Sequence, residues 1–393
     1  MAIDRAQTID DISAASGEVV RLTPAGLASA VAVGMIGALV IFVTPGFLAL
    51  VAQQTGFDND QLGYLAAWDI NAMGITIGLS TFALSRVRWR LAVAVGLMLI
   101  AVGNVLTGLA TSFPAMAAAR VVAGAGEGIA VGFAFAALGR ARNPDRAFSI
   151  YLVAGALFSS LFLYALPEIQ AAFSPSTVFA AIAVASVLVM FSLKALPDGS
   201  VDEVDVFAGS GALDRRIAFG SLVGVFLLFF AMGAGWSYSE RMGIESGVPS
   251  GTIASGLSIG TMAGVVAAGL AGFMPQRWGR AGPLIVSAIT GVTGFLLFRG
   301  EITQGAFVAA CVLMMFSWNF AQPLLSGICS EACGRGRVVC AMGSIQTFGT
   351  GLGPAAAAAT LATGNFNLML YACCVVLVLS VVATIWATSR KTA

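Results

Sequence analysis

Within the apolar stretch 116–138 the chain places two charges, Arg120 and Glu127, and it contains no histidine anywhere. Seven steps of 100° return a helix to within about 20° of its starting face and about 10 Å further along, so the two share one stripe. Hydrocarbon penalises each charge by at least about 2.5 kcal/mol, so the stripe should face protein or a watery cavity. A third charge, Asp69, lies in the apolar stretch 62–84. It sits roughly 10 Å in from one membrane face, against roughly 6 Å for Arg120, depths that permit an ion pair. The chemistry open to such a set is narrow: arginine can hold a carboxylate, and a buried carboxylate can take up and release a proton. With all three ionised the set carries one net negative charge, and one proton or cationic partner restores neutrality. Two readings stand side by side. Asp69 and Arg120 neutralise each other as a structural lock, or Arg120 alternates among Asp69, Glu127 and a substrate carboxylate. Glu127 lies nearer the membrane centre and is the better proton carrier, with Asp69 more readily held ionised by Arg120.

Composition supplies the elements that must position these groups. Hydrophobic residues make up 58% of the 393 and charged residues only 10%, whereas a soluble domain is nearer a quarter charged. Apolar runs recur at 25–51, 62–84, 91–110, 116–138, 148–166 and 178–195, then at 217–236, 253–274, 284–298, 306–325, 339–361 and 368–388. Most of these are long enough to cross a bilayer. The expected fold is all-α and integral to the membrane, with twelve transmembrane helices in two six-helix bundles, 25–195 and 217–388. Residues 1–24 read as a cytoplasmic N-terminal tail, 196–216 as a flexible acidic linker, and 389–393 as a cytoplasmic C-terminal tail. Paired bundles of this kind hold a substrate near the midplane and rock around it.

Charge orients the chain. With both termini cytoplasmic, the inner loops collect Arg86, Arg88, Arg90, Arg140, Arg142, Arg146, Arg277, Arg280, Arg335 and Arg337, and the outer loops only Arg241 and Arg299. That is the positive-inside asymmetry, and the expected location is the cell membrane, a bacterial inner membrane. Asp4, Asp10, Asp11 and Glu18 precede the first apolar run, unlike the basic start of a cleaved signal. A net charge of +1 implies no nucleic-acid partner. No Walker loop is present, so ATP does not drive the protein, and the lack of histidine excludes a histidine triad. Cys329 and Cys333, without further ligands, do not read as a zinc site, and no cysteine reads as a disulfide partner. No cofactor, metal or catalytic residue is expected; the partners are a small molecule, protons and the lipid bilayer, and the protein is expected to be a monomer.

The second half contributes polar and aromatic groups in place of charge. Trp318, Asn319 and Gln322 precede Pro323, and Gln346 lies in the eleventh span, at depths where a polar group needs a partner. They are candidates to hold the uncharged end of a substrate, together with Tyr238; bonding to a neighbouring helix is the alternative. Gly124 and Gly128 flank the charge stripe and leave room for a ligand or for close helix approach, while Gly256, Gly260 and Gly264 read as packing. Trp236, Glu240 and Arg241, at the outer end of the seventh span, read as a gate, and Trp68 as packing.

Several short motifs carry a resemblance. Gly272, Gln276, Arg277, Gly279 and Arg280 form a loop that resembles the GxxxDRxGR loop of the major facilitator superfamily with its aspartate replaced. Arg120, Gly124, Gly126 and Gly128 are similar to that superfamily's RxxxGxG motif, and Gly349, Gly351, Gly353 and Pro354 are also common there. Within the superfamily, Arg120 with Glu127 at this spacing resembles the fourth helix of the organic anion/cation symporters and of the spinster-like lipid transporters. The resemblance implies a proton-titrating Glu127 and an anion-contacting Arg120. The expected function is secondary active transport by alternating access, the proton-coupled symport of a small organic anion. The alternatives are proton-coupled efflux of drug-like or amphipathic compounds and spinster-like lipid transport.

Overall fold

The computed structural model describes residues 22–84, 86–141, 144–198, 213–272, 279–332, 337–361 and 366–389. Its regular elements there are all helical: α1 Pro24–Gly37, α2 Leu39–Phe42, α3 Thr44–Thr55, α4 Asn59–Ala83, α5 Trp89–Leu109, α6 Phe113–Gly139, α7 Pro144–Tyr164, α8 Leu166–Ala172 and α9 Pro175–Met190, followed by a 3-10 turn Phe191–Ala195. Then come α10 Arg215–Glu245, α11 Ser250–Gly272, α12 Ala281–Leu297, α13 Gln304–Ala332, α14 Arg337–Leu361 and α15 Phe366–Thr388. Eight described helices are long and apolar enough to cross a membrane. Their outward side chains suit hydrocarbon: Leu79, Leu91, Leu161 and Phe191 are all at least 60% exposed. Trp68 belongs to that surface at 55% exposure. It faces outward, on a different face from the buried Asp69, where lipid is the partner a membrane helix offers, so the packing expected of it is not against a neighbouring helix.

The first apolar run is not one helix. It breaks at Ala38 and again at Val43, where Pro45 has no N–H to offer the carbonyl of Ile41. The Thr44 hydroxyl covers the gap, donating to the carbonyls of Val40 at 2.8 Å and Ile41 at 3.2 Å, and Ser159 donates to the carbonyl of Phe42 at 2.6 Å. A break buried among helices persists when freed backbone groups find such partners. Gly56, with φ +68°, ends α3 in the left-handed turn that leads to α4.

Helices before residue 199 pack chiefly among themselves, with α4 and α5 on α6, α9 on α5 and α1 on α6. Helices after residue 212 do likewise, with α11 on α13, α10 on α14 and α15, and α12 on α13. The main junctions between the two sets are α4 with α14, α7 with α11 and α3 with α10. Arg86, Arg88, Arg90, Arg140 and Arg280 gather at one end of the molecule, and Asn59, Arg241 and Arg299 mark the opposite end. Residues 1–21 of the expected N-terminal tail, most of the linker, the loop core 273–278 and Cys333 lie outside the described residues. Among the described residues Cys311, Cys329, Cys373 and Cys374 are free, and no cluster of three His, Cys, Asp or Glu could hold a metal.

Candidate functional site

The charge stripe closes on itself. Arg120 Nη2 donates to Asp69 Oδ2 at 2.7 Å and to Glu127 Oε1 at 2.9 Å, and Nε reaches Asp69 Oδ2 at 3.1 Å. Arg120 and Asp69 are wholly buried and Glu127 is 2% exposed. Asp69 is about 15 Å along α4 and Arg120 about 10 Å along α6, both deeper than the apolar runs imply, because each helix begins before its run. Glu127 falls at the midpoint of α6. Two neutral neighbours complete the pocket. The Asn104 side-chain oxygen accepts from Arg120 Nη1 at 3.4 Å, and the Phe47 ring lies 4.7 Å from the guanidinium carbon, a cation–π contact made stronger by burial. Asp69 Oδ1 is buried with no hydrogen-bond partner.

Gly124 and Gly128 permit this geometry. A side chain at Gly124 would overlap the Asp69 carbonyl, and one at Gly128 would overlap Thr76 and the Met73 carbonyl. The space beside Gly124 is therefore filled by α4. Close helix approach, not ligand room, is what its missing side chain provides, a correction that follows from how tightly α4 must approach for Asp69 to reach Arg120. Gly256, Gly260 and Gly264 serve the same end for α11 on α13, against Phe307, Cys311 and Asn319.

The polar groups of the second half stand apart from the charges. Trp318 is buried edge-on against Phe229, with ring centroids 5.4 Å apart. Asn319 turns back on its own helix, donating to the Met315 carbonyl at 2.9 Å. Gln322 is half-buried one residue before Pro323 inside α13. Gln346 Oε1 is buried without a partner. None of the four bonds to Asp69, Arg120 or Glu127 among the described residues.

Tyr238 belongs elsewhere. Its hydroxyl donates to the Asn59 carbonyl at 2.7 Å and abuts Gly63, so it seals α10 against α4 at the end opposite the arginine cluster. Arg241 Nε donates to Asn59 Oδ1 at 3.0 Å, and Asn59 Nδ2 donates to Glu245 Oε1 at 2.5 Å. Trp236 and Glu240 are buried in the same region. These residues do not end the helix as expected, since α10 runs on to Glu245. Its polar last turns are held by contacts with α3 and α4, which no hydropathy run reveals. Asn59, Asn104 and Phe47 were missed by sequence reasoning. Asn104 alone carried a signal, a lone amide in an apolar run.

An apolar-coated helical bundle, two helix sets touching along few helices, and ion-paired charges sealed between helices are the parts of a membrane transporter built from paired bundles. The family model described as Major Facilitator Superfamily matches residues 29–354. The chain belongs to the Major Facilitator Superfamily. It is a multi-pass membrane transporter of small molecules that works by alternating access, and it is not an enzyme. Among solved structures it is similar to a point mutant of the nucleoside transporter NupG, at 14% identity and TM-score 0.70, covering 92% of this chain and 99% of that one. A D-xylose-proton symporter gives 16% identity and TM-score 0.70, covering 93% and 97%. A bacterial homologue of the human lysosomal transporter Spinster, inward-facing and occupied, gives 15% identity and TM-score 0.63, covering 93% and 96%. At such identities the likeness is one of fold. No curated protein matches the chain.

Proposed function

We propose that this chain couples the entry of a small organic anion to that of a proton. The observation that supports this is one buried guanidinium shared by two carboxylates at 2.7 and 2.9 Å, a set that is one proton short of neutral when all three groups are ionised. In the form open to the outside, Glu127 takes a proton and lets go of Arg120, which keeps Asp69 on Nε and offers the freed N–H groups to the substrate carboxylate. The site loaded with one anion and one proton carries the same net charge as the empty, fully ionised one, so the two cross together as the bundles rock, and inside both cargoes leave. The frame for this is twelve spans in two six-helix bundles, 25–195 and 217–388, joined by the linker 196–216. The arginine-rich end and both termini (1–24 and 389–393) are cytoplasmic in this reading, in a bacterial inner membrane, and the protein acts as a monomer. Trp318, Asn319, Gln322 and Gln346 meet the uncharged part of the substrate. Trp236, Glu240 and Arg241, with Asn59 and Tyr238, gate the outer end.

Proteoliposomes test the coupling. A one-to-one proton–anion symporter under a pH difference of 2 accumulates substrate up to about 100-fold, since each pH unit is worth about 1.4 kcal/mol. Glu127→Gln should still exchange labelled for unlabelled substrate but should accumulate none. Accumulation that persists in this variant removes Glu127 as the coupling residue.

A further inference from the structure

At the end opposite the arginine cluster, where α3 and α4 meet α10, a cavity of about 420 Å³ opens between the two helix sets. Glu240 lines it and is 5% exposed, yet its Oε2 is buried with no hydrogen-bond partner. No arginine or lysine lies within salt-bridge distance of that carboxylate among the described residues; Arg241, the next residue, gives its Nε to Asn59 instead. A buried carboxylate so placed costs several kcal/mol unless something positive or a proton meets it. The same wall carries Asp58 and Glu245 against the single Arg241, so the cavity is net negative. Phe57 and Ile244 add apolar surface. The volume falls within the range that takes small organic molecules and far exceeds one desolvated metal ion.

We infer that this cavity is a binding site for a small organic cation, a primary ammonium whose N–H donors meet Glu240 and whose hydrocarbon part lies on Phe57 and Ile244. The site is separate from the Asp69–Arg120–Glu127 cluster and does not depend on what that cluster transports. Its walls come from both helix sets, so an occupant bridges them and stabilises the form closed at this end.

Thermal unfolding of the full-length purified transporter in detergent, titrated with n-butylammonium chloride, tests this. Wild type and Glu127→Gln should show a saturable rise of a few degrees, and Glu240→Gln none. Tetramethylammonium, which has no N–H donor, should fail to reproduce the rise. An equal rise in Glu240→Gln, an equal rise with sodium chloride, or no saturable rise in wild type overturns the inference; the last outcome leaves Glu240 a neutral, protonated side chain. Should Glu240→Gln fail to fold, Asp58→Asn, which keeps a helix-capping residue, provides the second reading. Its half-saturating concentration should rise roughly two- to fivefold, and an unchanged value overturns the inference.

Discussion

Replacing Arg120 with methionine tests how the charge cluster is held together. The substitution keeps much of the hydrocarbon stem but strands Asp69 and Glu127, each bonded to the guanidinium at under 3 Å and each almost fully buried. Removing one partner of a buried ion pair typically costs about 3–5 kcal/mol, because the remaining charge is left uncompensated. Here two charges are left, so the upper half of that range is expected. A domain of 150–250 residues shifts its melting temperature by roughly 2–4 °C per kcal/mol, and a chain of this size by less, so the expected fall is on the order of 5–10 °C. Neutralising all three positions, as Asp69→Asn, Arg120→Met and Glu127→Gln together, should recover most of that loss, since buried pairs exchanged for neutral groups of similar volume are often tolerated. The assay is thermal unfolding of purified protein, followed by size-exclusion chromatography after a heat step. If the triple variant is as unstable as Arg120→Met alone, the loss comes from the contacts to Phe47 and Asn104, and the electrostatic account fails.

Other positions give sharper local tests. Asn59→Ala deletes the hydrogen bonds to Arg241 and Glu245 at the closed end, each worth roughly 0.5–1.5 kcal/mol and up to about twice that where the partner is charged. The variant should populate the form open at that end several-fold more, read as faster labelling of a cysteine placed at Ala49, which lines the cavity there and is buried. Gly124→Val should abolish uptake and lower the unfolding temperature, because a side chain there overlaps the Asp69 carbonyl. Gly269→Ala, with open space around it, should leave both unchanged; equal effects of the two variants would remove the close approach of α4 and α6 as the cause.

Much of this architecture was legible because bilayer thickness dictates how long an apolar run must be, and a charge inside such a run is costly enough to stand out. Arg120 and Glu127 could be paired by helical phase alone, and Asp69 added by depth. Asn104 and Phe47 could not be placed, since a neutral or apolar residue in an apolar run carries no mark of what faces it across two helices. The breaks at Ala38 and Val43 were hidden for a related reason: hydropathy stays high through them, and Pro45, the one local sign, only shows that a hydrogen bond is missing. The seal around Asn59 was least legible of all. Its partners Tyr238 and Glu245 lie 179 and 186 residues away in sequence, and the contact exists only where the two helix sets meet.

The broken first run has a mechanical consequence. Phe47 covers the Arg120 guanidinium from α3, the segment beyond the break at Val43, and α3 also rests on α10 at the closed end. The kink at Val43 is spanned by the Val43–Leu39 backbone bond and by the Thr44 hydroxyl, so α3 is hinged to the segment before it and does not run straight on from it. The ring over the cation and the face that meets α10 are therefore carried by one short segment. Any separation of the two helix sets at that end would thus bear directly on the ring that covers a buried charge.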